Sequence, residues 1–114
     1  MNVCVYYEKI NEDSIRINRV YSLSPKIEIP ESIDGYVVRE IGNYCFSSKK
    51  VDLSKAILSC DIPSNYHECS GVDVESVKFP STLKKLGNYA FYNCRKLKEI
   101  YLPFSLTLDS TRYK

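Results

Sequence analysis

The chain has 114 residues and a mass of 13.2 kDa, room for one small domain that buries roughly two thirds of the surface its unfolded form exposes. Its 44% hydrophobic and 26% charged residues suit a globular protein, and no stretch approaches the ~20 consecutive apolar residues of a membrane span, which excludes a transmembrane helix. The formal charge of +2 balances 16 basic against 14 acidic residues mixed along the chain, so no face is expected to attract nucleic acid or an anionic membrane.

Met1 opens directly into Asn2-Val3-Cys4-Val5-Tyr6, without the basic, apolar and small-residue regions of a secretory signal. The expectation is a cytoplasmic protein if Met1 is the native start, and a cell-surface or secreted one if the chain is a trimmed fragment. Cys4, Cys45, Cys60, Cys69 and Cys94 are odd in number and scattered, a pattern that favours reduced, mostly buried thiols over a disulfide framework. Residues 1–23 read as two strands, Val3–Tyr7 and Ile15–Tyr21, joined by the polar turn Asn11-Glu12-Asp13.

From residue 24 onward the chain repeats. Val74-x-x-Val77-x-Phe79-Pro80 returns one period later as Leu97-x-x-Ile100-x-Leu102-Pro103, with every apolar position and the proline in register. Weaker copies stand at Ile27-x-Ile29-Pro30 and Val51-x-Leu53-Ser54, so that four strand seeds, at Ile27, Val51, Val77 and Ile100, follow one another at nearly even steps. A second marker keeps the same phase, as Gly42-Asn43-Tyr44, Ser64-Asn65-Tyr66 and Gly87-Asn88-Tyr89. Cys45-Phe46 and Ala90-Phe91 follow the outer two markers, whereas His67-Glu68 follows the middle one.

Each copy reads as a short half-buried strand ended by proline, a second extended piece such as Leu83–Leu86, a glycine corner, and a helical or 3₁₀ segment over Tyr89–Tyr92 started by Asn88. No single copy can bury Phe91, Leu97, Ile100 and Leu102 alone, so neighbours must stack. After Leu106 the template fails, with Asp109 and Ser110 where Leu86 and Gly87 stood.

The stretch Val77-x-Phe79-Pro80-x-x-Leu83-x-x-Leu86-Gly87-Asn88-Tyr89-Ala90-Phe91-x-x-Cys94 resembles the BspA-type bacterial leucine-rich repeats. Ile27–Phe46 is similar to the longer first repeat that follows an N-terminal hairpin in that family. The resemblance extends over about residues 1–108 by repeat counting. It implies a right-handed solenoid with many short strands and a role in binding, in a family whose members are commonly long, secreted adhesion proteins.

The expected fold is therefore mainly β with short helical corners (α+β): a leucine-rich-repeat solenoid of about three coils. Residues 1–23 form its hairpin cap, 24–108 the repeats and 109–114 a tail. Cys60, His67 and Cys69 are the one candidate metal set, since thiolate and imidazole suit zinc, but their spacing is not that of a knuckle, and the alternative is a degenerate repeat with Cys60 in the core. A cysteine-dependent enzyme would have only His67 as its imidazole base, with nothing nearby to orient it. The acidic pairs Glu8/Glu12 and Asp73/Glu75 read as surface charges, and the four glycines stand singly. No catalytic set, cofactor site or metal site is expected.

Tyr101 falls between Ile100 and Leu102, where its side chain points away from the core, and its counterparts are Glu28, Asp52 and Lys78. With Lys26, Lys50, Ser76 and Glu99 these form a mixed-charge strip, either a solvated face or a surface for a protein partner of unknown identity. The function expected is a non-catalytic protein-interaction or scaffold module. Its alternatives are a zinc-binding or cysteine-dependent protein, or a structural fragment of a longer surface adhesion array. Self-association through an open C-terminal edge at Phe104, Leu106 and Leu108 is the rival docking site.

Overall fold

The computed structural model describes residues 2–104 and Leu106. It is mainly β, and its one helical segment among the described residues is the 3₁₀ turn Gly71–Asp73. The strands are β1 (Val3–Lys9), β2 (Ser14–Ser22), β3 (Lys26–Glu28), β4 (Ser32–Ile33), β5 (Tyr36–Ile41), β6 (Ile57–Leu58), β7 (His67–Glu68), β8 (Ser76–Lys78), β9 (Lys85–Leu86) and β10 (Glu99–Tyr101). Leu108 and the tail 109–114 lie outside the described residues.

Residues Val3 to Ser22 form the expected hairpin. β1 and β2 run antiparallel with Val3 opposite Ser22 and Lys9 opposite Ile15, and the Asp13 N–H donates to Asn11 Oδ1 at 2.8 Å to shape the turn. Beyond it the chain winds so that two sets of parallel strands lie on opposite sides of one apolar core. In one set β3, β8 and β10 carry Ile27, Val77 and Ile100 in register. In the other, β2, β5 and β9 carry Ile17, Ile41 and Leu86 in register, so the hairpin supplies the first layer. One continuous cluster, from Val3 to Phe91, fills the space between.

The corners hold the layers at strand spacing. A Cβ built on Gly87 would lie 2.5 Å from the Asn43 backbone nitrogen, closer than any side chain tolerates, so only glycine permits this approach. The Tyr44 N–H donates to Asn88 O (3.1 Å) and the Phe46 N–H to Ala90 O (2.8 Å). Phe46 stacks on Phe91 at 5.3 Å between centroids, with Phe79 set edge-on to both, and Tyr44 stacks on Tyr89 at 5.5 Å. Such pairs add about 0.5–1.5 kcal/mol each beyond the area they bury.

Two expectations are corrected here. The corners at 43–46 and 88–93 are turns rather than helices. Each turn closes with single three-residue bonds (Ser47 N–H to Tyr44 O, Tyr92 N–H to Tyr89 O) while Asn88 O and Ala90 O accept N–H groups of the neighbouring turn, and Tyr44 and Tyr89 take left-handed backbone angles (φ 60° and 55°) that no right-handed helix accommodates. The second correction concerns the middle of the chain. Val51 does not join the parallel ladder, where Ile27 is followed directly by Val77, and Ser64-Asn65-Tyr66 does not stack between Gly42 and Gly87.

Residues 49–70 are instead an excursion from a single copy. The path from Ile41 to Val77 is longer than the matched path from Leu86 to Ile100 by almost one full repeat, and 49–70 is the surplus. The excursion leaves and returns at one place: a Cβ on Gly71 would be 3.6 Å from Ser48 Cα, and the Gly71 N–H donates to Phe46 O at 2.9 Å. Between these points it lies across the hairpin, with β6 antiparallel to β1 and β7 antiparallel to β2. It is also bonded covalently, by a Cys4–Cys60 disulfide whose Cα atoms are 5.8 Å apart, within the range a disulfide spans. The expectation of wholly reduced thiols, with Cys60 in the core, is thereby corrected: Cys60 is exposed and bonded to Cys4.

Arg19 anchors the start of the excursion. It is 2% exposed, and its guanidinium donates to Ser47 O (2.7 Å) and Lys49 O (2.5 Å) and lies 3.9 Å from the Glu68 carboxylate. Burying this charge costs several kcal/mol unless carbonyls and a carboxylate replace its water, which is the work those groups do.

Because Ser48 and Gly71 are adjacent in space, a variant lacking residues 49–70 is expected to fold. Circular dichroism should retain the β signature and urea unfolding should stay cooperative, with a loss of a few kcal/mol as Arg19 gives up Lys49 and Glu68. An unfolded deletion variant would show that the excursion is an integral repeat.

Candidate functional site

The side chains that alternate with the buried Ile27 and Val77 point outward, and in-register pairing places them in two rows across β3, β8 and β10. One row is Lys26, Ser76 and Glu99. The other is Glu28, Lys78 and Tyr101. Ser76 is half-buried and the other five are exposed, Tyr101 at 51%. Lys78 therefore stands between a carboxylate and an aromatic ring, and the Tyr101 hydroxyl donates to the Glu99 carboxylate along its own strand. That carboxylate raises the Tyr101 pKa, first by holding the phenol proton in a hydrogen bond and then by repelling the phenolate.

Lys50 and Asp52, expected in the same strip, are elsewhere. With the excursion they line a polar cleft of about 490 Å³ together with Glu8, Arg16, Glu40 and Lys85. The Ser54 backbone N–H donates to Asp52 at 2.9 Å, and this bond lowers the Asp52 pKa. The strip thus contains Lys26, Glu28, Lys78, Glu99 and Tyr101 of the expected set, together with Ser76.

A feature that sequence reasoning missed flanks the rows. An open groove of about 610 Å³ lies beside the strip, lined by Pro25, His67, Val72, Glu75, Leu97 and Lys98. The Lys98 N–H donates to Glu75 O at 2.8 Å, and its ammonium lies 3.4 Å from the Glu75 carboxylate. Pro25, Glu75 and Leu97 follow from the repeat, but His67 and Val72 arrive only because the excursion returns here.

The candidate metal set is not gathered at one point. Cys60 is bonded to Cys4, the buried Cys69 Sγ lies 3.2 Å from Ser22 Oγ, and His67 is exposed on β7. Burial pushes the Cys69 and Cys94 thiols up to about 11 each, and pushes Cys45, wholly buried in the slot matching Ala90, higher still. Cys94 is half-buried, its Sγ donating to Phe46 O at 3.1 Å.

The family described as "BspA type Leucine rich repeat region (6 copies)" matches residues 61–111. Residues 61–111 are thus similar to a BspA-type leucine-rich repeat region. The matched segment contains β8, β9 and β10, hence two of the three strands that form the strip. A crystal structure of a T. pallidum leucine-rich-repeat protein is similar over 90% of this chain, with a TM-score of 0.60 and 28% sequence identity. The chain spans 38% of the length of that structure. No curated protein matches.

If Tyr101 and Glu99 are coupled as described, Glu99→Gln should bring the Tyr101 titration down toward 10.0, the ordinary tyrosine value. NMR-monitored titration of the Tyr101 ring checks this. The sign follows from removing a negative charge that disfavours the phenolate; an unchanged titration would mean that the two side chains do not share a face.

Proposed function

We propose that the chain is a non-catalytic protein-interaction module that docks a protein partner on the outward rows of β3, β8 and β10. In this reading residues 24–108 form a short solenoid of stacked repeats, and the hairpin 1–23 closes its first layer. The observation that carries the proposal is the register: Lys26–Ser76–Glu99 and Glu28–Lys78–Tyr101 become a single rigid surface although they come from three distant segments. A flat row of alternating charge with one aromatic ring suits an extended protein surface better than a small molecule, which prefers an enclosed apolar pocket. A repeat region of the kind that builds such surfaces supports the same reading.

Catalysis by cysteine has little support in the chemistry of these thiols. Cys69 and Cys94, raised by burial to about 11, remain protonated at neutral pH, whereas a nucleophilic thiol needs its pKa lowered. His67 stands exposed on β7, and no hydrogen bond among the described residues orients its imidazole as a general base requires.

A second reading has an observation of its own. Ile100 is 37% exposed where Ile27 and Val77 are 3% and 0%, and Phe104 is fully exposed, so among the described residues β10 presents an apolar edge that suits a second copy. Leu106 packs against the core instead and is a poor probe of that edge.

Recovery of one quantified partner from the native source, with wild type, Tyr101→Ala and Phe104→Asp, tests both readings. Truncating a central interface tyrosine costs about 2 kcal/mol, so Tyr101→Ala should weaken binding by roughly thirty-fold while Phe104→Asp leaves it unchanged. The reverse pattern would move the site to the apolar edge.

A further inference from the structure

The excursion 49–70 is held to the hairpin by few non-covalent contacts, and this gives the Cys4–Cys60 bond a specific role. No side chain from Ser48 to Glu68 is buried, so the segment brings no apolar anchor to the core. Its hydrogen bonds to the rest of the chain gather at its two bases and at the short strand β6 between them. At the first, Arg19 donates to Ser47 O and Lys49 O. At the second, the Cys69 N–H donates to Val20 O at 2.9 Å. The intervening span touches the edge of β1 through the two-residue β6, where the Ser59 N–H donates to Val5 O (2.8 Å) and the Val5 N–H to Ser59 Oγ (2.9 Å). Two-residue pairings of exposed segments open readily. The disulfide sits beside this contact, one residue from Ser59 and one from Val5.

We infer that the Cys4–Cys60 disulfide is a redox latch, closing the excursion over the β1 edge when oxidised and releasing it when reduced. The two sulfurs are placed unequally for this. Cys60 is exposed and open to attack, whereas Cys4 is buried in the hairpin. A dithiol reductant attacks the Cys60 sulfur, the S–S bond breaks, and Cys4 leaves as a thiolate that takes up a proton. The second thiol of the reductant then closes its own disulfide and frees Cys60 as a thiol. The protein gains two electrons and two protons, and the dithiol loses the same number. Release bares the β1 backbone groups that the excursion had paired, the Val5 N–H and C=O among them, leaving an open strand edge onto which an extended segment can add. The strand pairings of the repeat stack, among β3, β8 and β10 and among β2, β5 and β9, use neither Cys4 nor Cys60 and stay closed on release.

Hydrogen exchange read by mass spectrometry on the whole chain tests the latch in three forms: air-oxidised, reduced with dithiothreitol, and the Cys4→Ser, Cys60→Ser double variant. Alkylation in denaturant under non-reducing conditions, where the buried Cys45 and Cys69 also react, should leave two of the five cysteines unmodified in the oxidised form. Reduction should speed exchange about ten-fold or more in peptides covering Val5–Tyr7 and Ile57–Cys60, with Ile15–Val20 and Phe91 unchanged, and the double variant should match the reduced form. Five reactive cysteines in the oxidised protein, or exchange indifferent to reduction, would overturn the proposal. Acceleration spread evenly over the whole chain would overturn it too, because the bond would then support the entire fold rather than one flap.

Discussion

The backbone of Gly87 rests directly on that of Gly42, and everything stacked in this molecule takes its spacing from that contact. A methyl group at Gly87 would collide with the Asn43 nitrogen, so the two turns can approach to strand distance only with hydrogen there. Once they do, Tyr44 meets Tyr89, Phe46 meets Phe91, and the amides of Tyr44 and Phe46 find the carbonyls of Asn88 and Ala90. The hairpin extends the same logic one layer further. The Gly42 N–H donates to Ile17 O at 2.8 Å, and a Cβ on Gly42 would strike the Asn18 side chain. One glycine corner is thus closed by the hairpin on one side and by its own repeat on the other.

The outer copies were legible in the sequence because their constraint is local: a glycine, an aromatic residue two positions on, another four positions on, and a proline after each strand. The middle was misread for an arithmetical reason. The excursion 49–70 is almost one repeat long, so every marker downstream of it keeps phase, and Ser64-Asn65-Tyr66 falls on the period without lying in the stack. Length alone cannot distinguish an inserted segment from a degenerate repeat. What could have done so is burial: a true copy needs large residues in the slots of Phe46 and Phe91, and His67-Glu68 offers none.

The disulfide was hidden for the same reason, since Cys4 and Cys60 meet only because the excursion turns back over β1. Arg19 did leave a trace. It stands two residues beyond Ile17 on the parity that points inward, where a charge is costly unless carbonyls await it, and those carbonyls, Ser47 O and Lys49 O, mark where the excursion departs. The candidate strip shows the same division between local and distant information. Its rows were legible wherever the template was strict, at Lys26, Glu28, Ser76, Lys78, Glu99 and Tyr101, and wrong at Lys50 and Asp52, which belong to the excursion.

Energetically the strip is uneven, and that unevenness bears on what could dock there. Exposed Lys and Glu neighbours contribute about 0–1 kcal/mol to one another, so Lys26, Glu28 and Lys78 can exchange their solvent shell for a partner's charges at little cost to the fold. They can select a complementary pattern but supply modest affinity. Tyr101 differs in kind, since its ring offers apolar area and its hydroxyl is already oriented by Glu99. It also sits on β10, whose one partner strand among the described residues is β8, and Leu102 and Phe104 beside it are exposed. A partner that covers Tyr101 therefore reaches from the charged rows to the border of the apolar edge without having to cover Phe104. Recognition by charge and burial of apolar surface then meet at a single residue, and in this reading that makes Tyr101, rather than the middle of the strip, the energetic centre of the surface.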